Sequence, residues 1–243
     1  WGRNDDGQVA RSIAGNTPGY QTNTNFGSYR TDPAVVSGMS SGVTAMALGS
    51  GHTCAVQNGT VKCFGTNRDG QLGRATNVGQ LGANSTPGQV TGLGSSVTQI
   101  AAGDDHTCAV AGGVLKCWGS SIYSAIGYAT PSGTYYSATA TTVGIGTIQG
   151  VYAGGRNTCV VQSNVVKCWG SNDDGQLVSG STTNTPQTLL TAPSYTVGVG
   201  NNVVCGQKNA SIYCWGRNTS GALGNLTGVG TNTTYGPTVV LGL

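Results

Sequence analysis

The sequence contains no glutamate at all, only two histidines and two phenylalanines, and charged side chains make up just 8% of its 243 residues. Its eight acids are therefore all aspartate, set against eleven Lys+Arg for a net charge of +3. The basic residues never cluster, which excludes the electrostatic footprint of a nucleic-acid binder. No stretch of about 18 apolar residues occurs, so no membrane-inserting helix is expected. A leader with a charged start and an apolar middle is also missing, and Trp1 opens inside a repeat. That beginning reads as a mature fragment or a domain of a longer chain. What is abundant is glycine, 42 residues, together with Ser, Thr and Asn. This composition favours turns and strands over helices.

Eight cysteines remain to be explained. They fall in four pairs, each nine positions apart, whereas zinc-binding cysteines sit two to four apart. A geometric argument favours disulfides. If Asn58-Gly59 forms a two-residue type I′ turn, Gln57 faces Thr60, Val56 faces Val61, Ala55 faces Lys62 and Cys54 faces Cys63. Hydrogen-bonded and non-hydrogen-bonded pairs alternate away from the turn, and the cysteines fall on a non-hydrogen-bonded pair. There the Cα atoms approach to roughly 4.5 Å, at the short end of disulfide geometry. The same register follows from Gly112-Gly113, Ser163-Asn164 and Asn209-Ala210. The expected bridges are Cys54–Cys63, Cys108–Cys117, Cys159–Cys168 and Cys205–Cys214, and they imply an oxidising, extracellular or cell-surface setting.

The hairpins belong to a longer repeat. An aromatic-Gly corner stands at Trp1, Phe64, Trp118, Trp169 and Trp215, in steps of 63, 54, 51 and 46 residues. After it comes a polar turn, as in Asn67-Arg68-Asp69-Gly70-Gln71-Leu72-Gly73, which has diverged after Trp118. A short apolar segment follows, often opened by proline (Pro33, Pro87, Pro186, Pro237). A segment of small residues precedes each hairpin, as suits strands converging on an axis. Four strands per unit is the period of a β-propeller blade. The expected layout is a single all-β propeller domain over 1–243, with a partial blade at 1–42 and blades at 43–94, 95–146, 147–193 and 194–243. In the partial unit, residues 1–39 are expected to hold the third and fourth strands, the fourth at Pro33-Ala34-Val35-Val36.

Several landmarks recur in one order: Gly-x-x-His-Thr-Cys at 49–54 and 103–108, the Cys-Trp/Phe-Gly corners, and Asn-x-x-Gly-Gln-Leu-Gly at 67–73. By these the chain resembles the regulator-of-chromosome-condensation repeat family of β-propellers. The WD repeat has a shorter period and a Trp-Asp landmark absent here. The resemblance implies a ring of up to seven blades, of which this chain supplies four complete and one partial. Family members include exchange factors, enzyme-inhibiting propellers and scaffolds, so the fold alone selects no function.

Few residues offer chemistry. His52 and His106 invite thoughts of a metal or a general base, but their positions hold Asn157 and Val203 in the later units, which makes the position structural. No nucleophile has a base placed beside it, so no catalytic residue, enzymatic activity or cofactor is assigned. Asp5-Asp6 and Asp173-Asp174 lack the alternating spacing of a calcium loop and read as turns. The tryptophans recur with the blades and are expected to pack between them. Lys62, Lys116 and Lys167 read as snorkelling strand residues. Sequons at Asn58, Asn84, Asn209, Asn218, Asn225 and Asn232 are the number that abundant Asn and Thr produce by chance.

What fails to repeat points to binding. The stretch 10–30 carries Tyr20, Phe26, Tyr29 and Arg30, and 120–142 carries Tyr123, Tyr128, Tyr135 and Tyr136, all among Ser, Gly, Asn and Thr. Rigid aromatics amid small adaptable polar residues make up recognition loops. The expectation is a surface-displayed binding or adhesion module for a protein or a glycan. A structural spacer and an enzyme-inhibiting propeller are the alternatives.

Overall fold

The computed structural model describes residues 2–3, 5, 8–10, 20–23, 27–31, 33–80, 84–178, 180–191, 196–224 and 234–240. Among them, every regular element is a β-strand. A small sheet comes first, built of β1 (Gly2–Arg3), β2 (Tyr20–Asn23) and β3 (Gly27–Arg30). Four antiparallel sheets of four strands follow as successive blades, each running in chain order from its inner to its outer strand. The first holds β4 (Val43–Leu48), β5 (His52–Gln57), β6 (Thr60–Gly65) and β7 (Asn84–Gln89). The second holds β8 (Val97–Ala102), β9 (His106–Ala111), β10 (Val114–Ser120) and β11 (Tyr136–Thr147). The third holds β12 (Gly150–Gly154), β13 (Asn157–Gln162), β14 (Val165–Gly170) and β15 (Thr183–Thr191). The fourth holds β16 (Val197–Val199), β17 (Val203–Lys208), β18 (Ser211–Gly216) and β19 (Thr234–Val239). The inner strands β4, β8, β12 and β16 are neighbours in turn, so the blades fan about a common line.

Each hairpin has the register that its turn dictates. Cys54 faces Cys63, Cys108 faces Cys117, Cys159 faces Cys168 and Cys205 faces Cys214. All four pairs are disulfide-bonded with Cα atoms 4.1 Å apart, the close approach of a non-hydrogen-bonded pair. Positive φ at Asn58, Gly59, Gly112, Gly113, Ser163 and Asn164 gives the first three turns the twist that suits antiparallel strands. The prolines Pro87, Pro186 and Pro237 lie in β7, β15 and β19, all outermost, where a missing N–H disturbs no second ladder.

The glycine of each aromatic-Gly corner is required by space. At Gly65 (φ 111°) a Cβ would meet Gly51 O at 2.4 Å, and at Gly119 (φ 103°) it would meet Asp105 O at 2.4 Å. A register shift falls at this same point in each outer pairing, between Cys63 and Gly65 and between Cys117 and Gly119, for example. The bulge turns the chain into the polar loop that follows.

The core does not lie within blades but between them. Val56, Val61 and Leu72 of the first blade pack with Val97, Ala109 and Trp118 of the second. Leu115 and Ile126 of the second pack with Val151, Val160 and Trp169 of the third, and Val166 and Leu177 of the third with Val204 and Trp215 of the fourth. Trp118, Trp169 and Trp215 are all fully buried in these seams. The packing role expected of them is the one they have.

The leading unit departs from expectation. Its strand β1 pairs with β3, and β3 pairs with β2 as an extra outer strand. Residues 33–36 form no strand. That apolar run instead lies over the first blade, where Val35, Val36 and Met39 line a groove with Val43, Met46 and Phe64. β3 has already taken the edge beside β1, so the run covers apolar surface rather than pairing.

Candidate functional site

One end of every blade carries the hairpin turns; the opposite end carries the polar loops after β6, β10, β14 and β18, together with the short links into β5, β9, β13 and β17. All the described acids, Asp5, Asp69, Asp104, Asp105, Asp173 and Asp174, lie at this loop end. The lysines point the other way. Lys62 and Lys167 donate to the side-chain carbonyls of Gln57 and Gln162, and Lys116 to Gly92 O. A chain with little charge thus gathers its described carboxylates on one face.

That face is held by a repeated arrangement at each seam. The indole of Trp118 donates to Gln71 O at 2.9 Å, that of Trp169 to Ala125 O at 2.9 Å, and that of Trp215 to Gln176 O at 2.7 Å. Threonines share the first two carbonyls: Thr107 Oγ1 donates to Gln71 O and Thr158 Oγ1 to Ala125 O. Thr53 donates to Gln8 O of the leading unit in the same manner. Because each hydroxyl spends its proton this way, it accepts from the preceding blade's histidine. His52 Nε2 lies 2.8 Å from Thr107 Oγ1, and His106 Nε2 lies 2.8 Å from Thr158 Oγ1. In the third seam the chain changes both partners together, Asn157 for the histidine and Val204 for the threonine. Asn157 donates instead to Trp169 O and Ser171 O, and its Oδ1 is buried without a partner.

The polar loops are braced from inside. Asn67 Oδ1 accepts from Leu72 N at 2.9 Å, and its amide donates to Arg74 O and Thr76 O. Asn172 and Asn218 repeat the bond to Leu177 N and Leu223 N. These three asparagines are missing from the sequence-derived site, although their spacing before Gly-Gln-Leu, or Gly-Ala-Leu after Asn218, was visible. Where the repeat diverges, Ser121 stands in place of the asparagine and its hydroxyl lies 3.0 Å from that of Thr130.

The sequence-derived binding residues separate on this frame. Tyr123 and Arg156, from adjacent blades, stack with the guanidinium carbon 3.9 Å from the ring centre. They share a cleft with Asp104, Asp105 and His106. Burial, then the neighbouring charges of Asp69 and Asp104, push the Asp105 carboxyl up, while Arg156 and Arg68 oppose the shift. Tyr128 has a different task. Its hydroxyl donates to Cys117 O at 2.9 Å, just as Arg74 donates to Cys63 O at 2.7 Å in the first blade. Burial raises the Tyr128 phenol and lowers the Arg74 guanidinium. Tyr135 and Tyr136 are the outward-facing pair, 65% and 37% exposed, and Tyr135 and Tyr128 flank a groove closed by Asn184 of the next blade. Tyr20, Tyr29 and Arg30 stand on the strands β2 and β3 rather than in a loop, with Tyr20 opposite Arg30. Phe26 lies outside the described residues. The structure does not gather these residues with those of 120–142 into one cluster in any described contact. Among the described residues no three His, Cys, Asp or Glu side chains come close enough to hold a metal.

The repeats have known counterparts. Residues 43–71 and 58–110 each match a family model of the Regulator of chromosome condensation (RCC1) repeat. Residues 43–110 thus carry RCC1-type repeats, and the chain as a whole folds like an RCC1-type repeat propeller. It is 41% identical over 92 residues to the mouse Regulator of chromosome condensation, covering 37% of this chain and 21% of that protein. It is 29% identical over 150 residues to the Ultraviolet-B receptor UVR8 of Arabidopsis thaliana, 58% of this chain and 32% of that one. The chain therefore spans a minor part of the length of these curated relatives. Among solved structures, human WBSCR16 superposes with a TM-score of 0.73 at 22% identity, over 98% of this chain and 61% of that one. Yeast RCC1 (Prp20), solved with Kap60, superposes at 0.69 and 20% identity over 82% and 49%. At such identities these structures share the fold.

Proposed function

We propose that this propeller is a binding module that works outside the reducing cytoplasm and recognises a protein or glycan through its loop end. The observation that carries the reading is the asymmetry of the two ends. All described carboxylates, the Tyr123–Arg156 stack and the exposed pair Tyr135 and Tyr136 share the loop end. The other end carries the two-residue turns and the links between blades, and none of the described carboxylates. Four disulfides support an oxidising location. A propeller of the same fold, yeast RCC1, was crystallised with a protein bound.

The exposed tyrosines supply contact area at low entropic cost, and the small residues around them, Ser132 and Gly133, let the loop adjust. The test is the Tyr135→Ala/Tyr136→Ala variant of the full chain, probed on a glycan array and by labelled-protein binding to intact cells. Loss of a signal that the parent shows, with the denaturation midpoint unchanged, supports the reading. A parent without signal on either probe, or a variant that binds equally well, sinks it and favours the spacer reading.

A further inference from the structure

His52 and His106 are buried in two successive seams, and although His106 lines the Tyr123–Arg156 cleft, the proposed binding uses the chemistry of neither imidazole. Each donates Nε2–H across a blade boundary to a threonine that is itself committed to a backbone carbonyl. The threonine hydroxyl can use no other proton in this chain of bonds, so both imidazoles are held as the neutral Nε2–H tautomer. His52 Nδ1 is buried with no hydrogen-bond partner. The ring leans on Gly49, where a Cβ would come within 2.4 Å of that nitrogen, and His106 leans on Gly103 in the same way. A second proton on His52 would therefore enter a closed, low-dielectric space at a nitrogen with no hydrogen-bond partner.

We infer that the first two blade seams form an acid-sensitive latch: protonation of His52 or His106 parts the seam it spans, while the third seam, built on Asn157 and Val204, stays indifferent to acid. Asp104, Asp105, Tyr123 and Arg156 share the cleft beside His106, and His106 itself is the charge that faces His52. Burial first, and for His52 the neighbouring His106 second, holds the imidazoles down, at about 3 for His52 and about 4 for His106. A backbone hydrogen bond at Asn157 pulls His106 the other way.

The sign follows from linkage. An unfolded histidine takes a proton near pH 6.5, and these do not until far lower, so their contribution is complete above 6.5 and is lost as pH falls towards 4. At pH 4.5 each histidine should favour the opened state by up to roughly 100-fold relative to neutral pH. Asp105 works in the opposite direction, since a raised carboxyl gains stability as pH falls, and it cannot cause the loss.

The experiment compares the oxidised full chain with a His52→Asn/His106→Asn variant, the asparagine being this chain's own choice at 157. Guanidinium unfolding at pH 7.0 and 4.5 should show the parent's unfolding constant rising by on the order of 10³-fold or more, and the variant's by less than about 10-fold. Equal acid loss in both overturns the inference. If the variant does not fold at neutral pH, the imidazole C–H resonances of the parent decide. Resonances that stay at their neutral positions down to pH 5 support the latch, and titration of either near 6.5 in the folded protein overturns it. Hydrogen exchange at pH 4.5, corrected for the intrinsic rate, should show Thr107 and Thr158 deprotected ahead of Val204; the reverse order overturns the assignment to seams.

Discussion

Consider removing one disulfide, Cys108–Cys117, by paired substitution with alanine. The bridge closes a loop over a sequence separation of nine residues, and it lies in a hairpin whose register is already set by Gly112-Gly113. Closing a loop of about ten residues stabilises by roughly 2.7 kcal/mol through the entropy of the unfolded chain, so four such bridges contribute about 10 kcal/mol. That sum is comparable with the whole stability of an ordinary domain, roughly 5–15 kcal/mol. The chain has little else to draw on, with a core divided into three seams and few charges. With a guanidinium slope of about 5 kcal/mol/M, losing one bridge should lower the midpoint by roughly 0.5 M. Tryptophan fluorescence reports it, because all three described indoles lie in the seams. A fall of under about 0.2 M would show that the turns fix the hairpins unaided and would refute the reasoning. Reduction of the native protein should also be ordered. Cys54, Cys63, Cys108, Cys117, Cys159 and Cys168 are all 0% exposed, whereas Cys205 lines an open groove on the last blade. Mass-spectrometric alkylation under graded reductant should find Cys205–Cys214 opening first; simultaneous opening of all four would contradict this.

Further outcomes follow from the seams. Trp215→Phe should destabilise by about 1 kcal/mol more than Trp169→Phe, because Val204 offers Gln176 O no replacement donor whereas Thr158 still serves Ala125 O. Equal midpoints for the two variants would remove that role from the threonine. Gly103→Ala puts a methyl 2.1 Å from His106 Cε1 and 2.7 Å from Gly155 O, and should cost at least about 2 kcal/mol in chemical denaturation, while Gly133→Ala, in open space but at φ 80°, should cost about 1 kcal/mol. Asn67→Ala frees three backbone groups of its loop and should cost about 2 kcal/mol, with raised protease cleavage at 74–80 as the local readout.

The hairpins were legible in the sequence because turn and cysteine spacing constrain each other, and a one-residue slip would have separated every pair. The blade pattern was legible for a related reason, since corners that meet backbone at 2.4 Å admit only glycine. Other features depend on partners distant in the chain. His52 and Thr107 are 55 residues apart, and nothing local shows that one accepts from the other. Tyr128 looked like a recognition residue because it is a tyrosine among small polar residues; the task it shares with Arg74, a bond to a cysteine carbonyl, is invisible when the two side chains differ so much. Pro33–Val36 carried a strand's composition but found its edge already taken by β3, so composition and pairing parted company there. The stretch 120–142 stood out for failing to repeat, and in the structure Ser121 bonds Thr130 where the other loops use an asparagine brace.

The carbonyls that receive the tryptophan indoles belong to Gln71, Ala125 and Gln176, two residue types doing one job because only their main chain is used. An indole acceptor that is peptide backbone asks nothing of the side chain there, even where, as at Gln71, that side chain bonds Asp105 on its own account. Duplication of a blade-length stretch of gene would then create a working junction at once, without matched substitutions in the older neighbour. Growth of the ring by copying, and drift of the copies towards different surfaces, is open to such a protein from its first duplication.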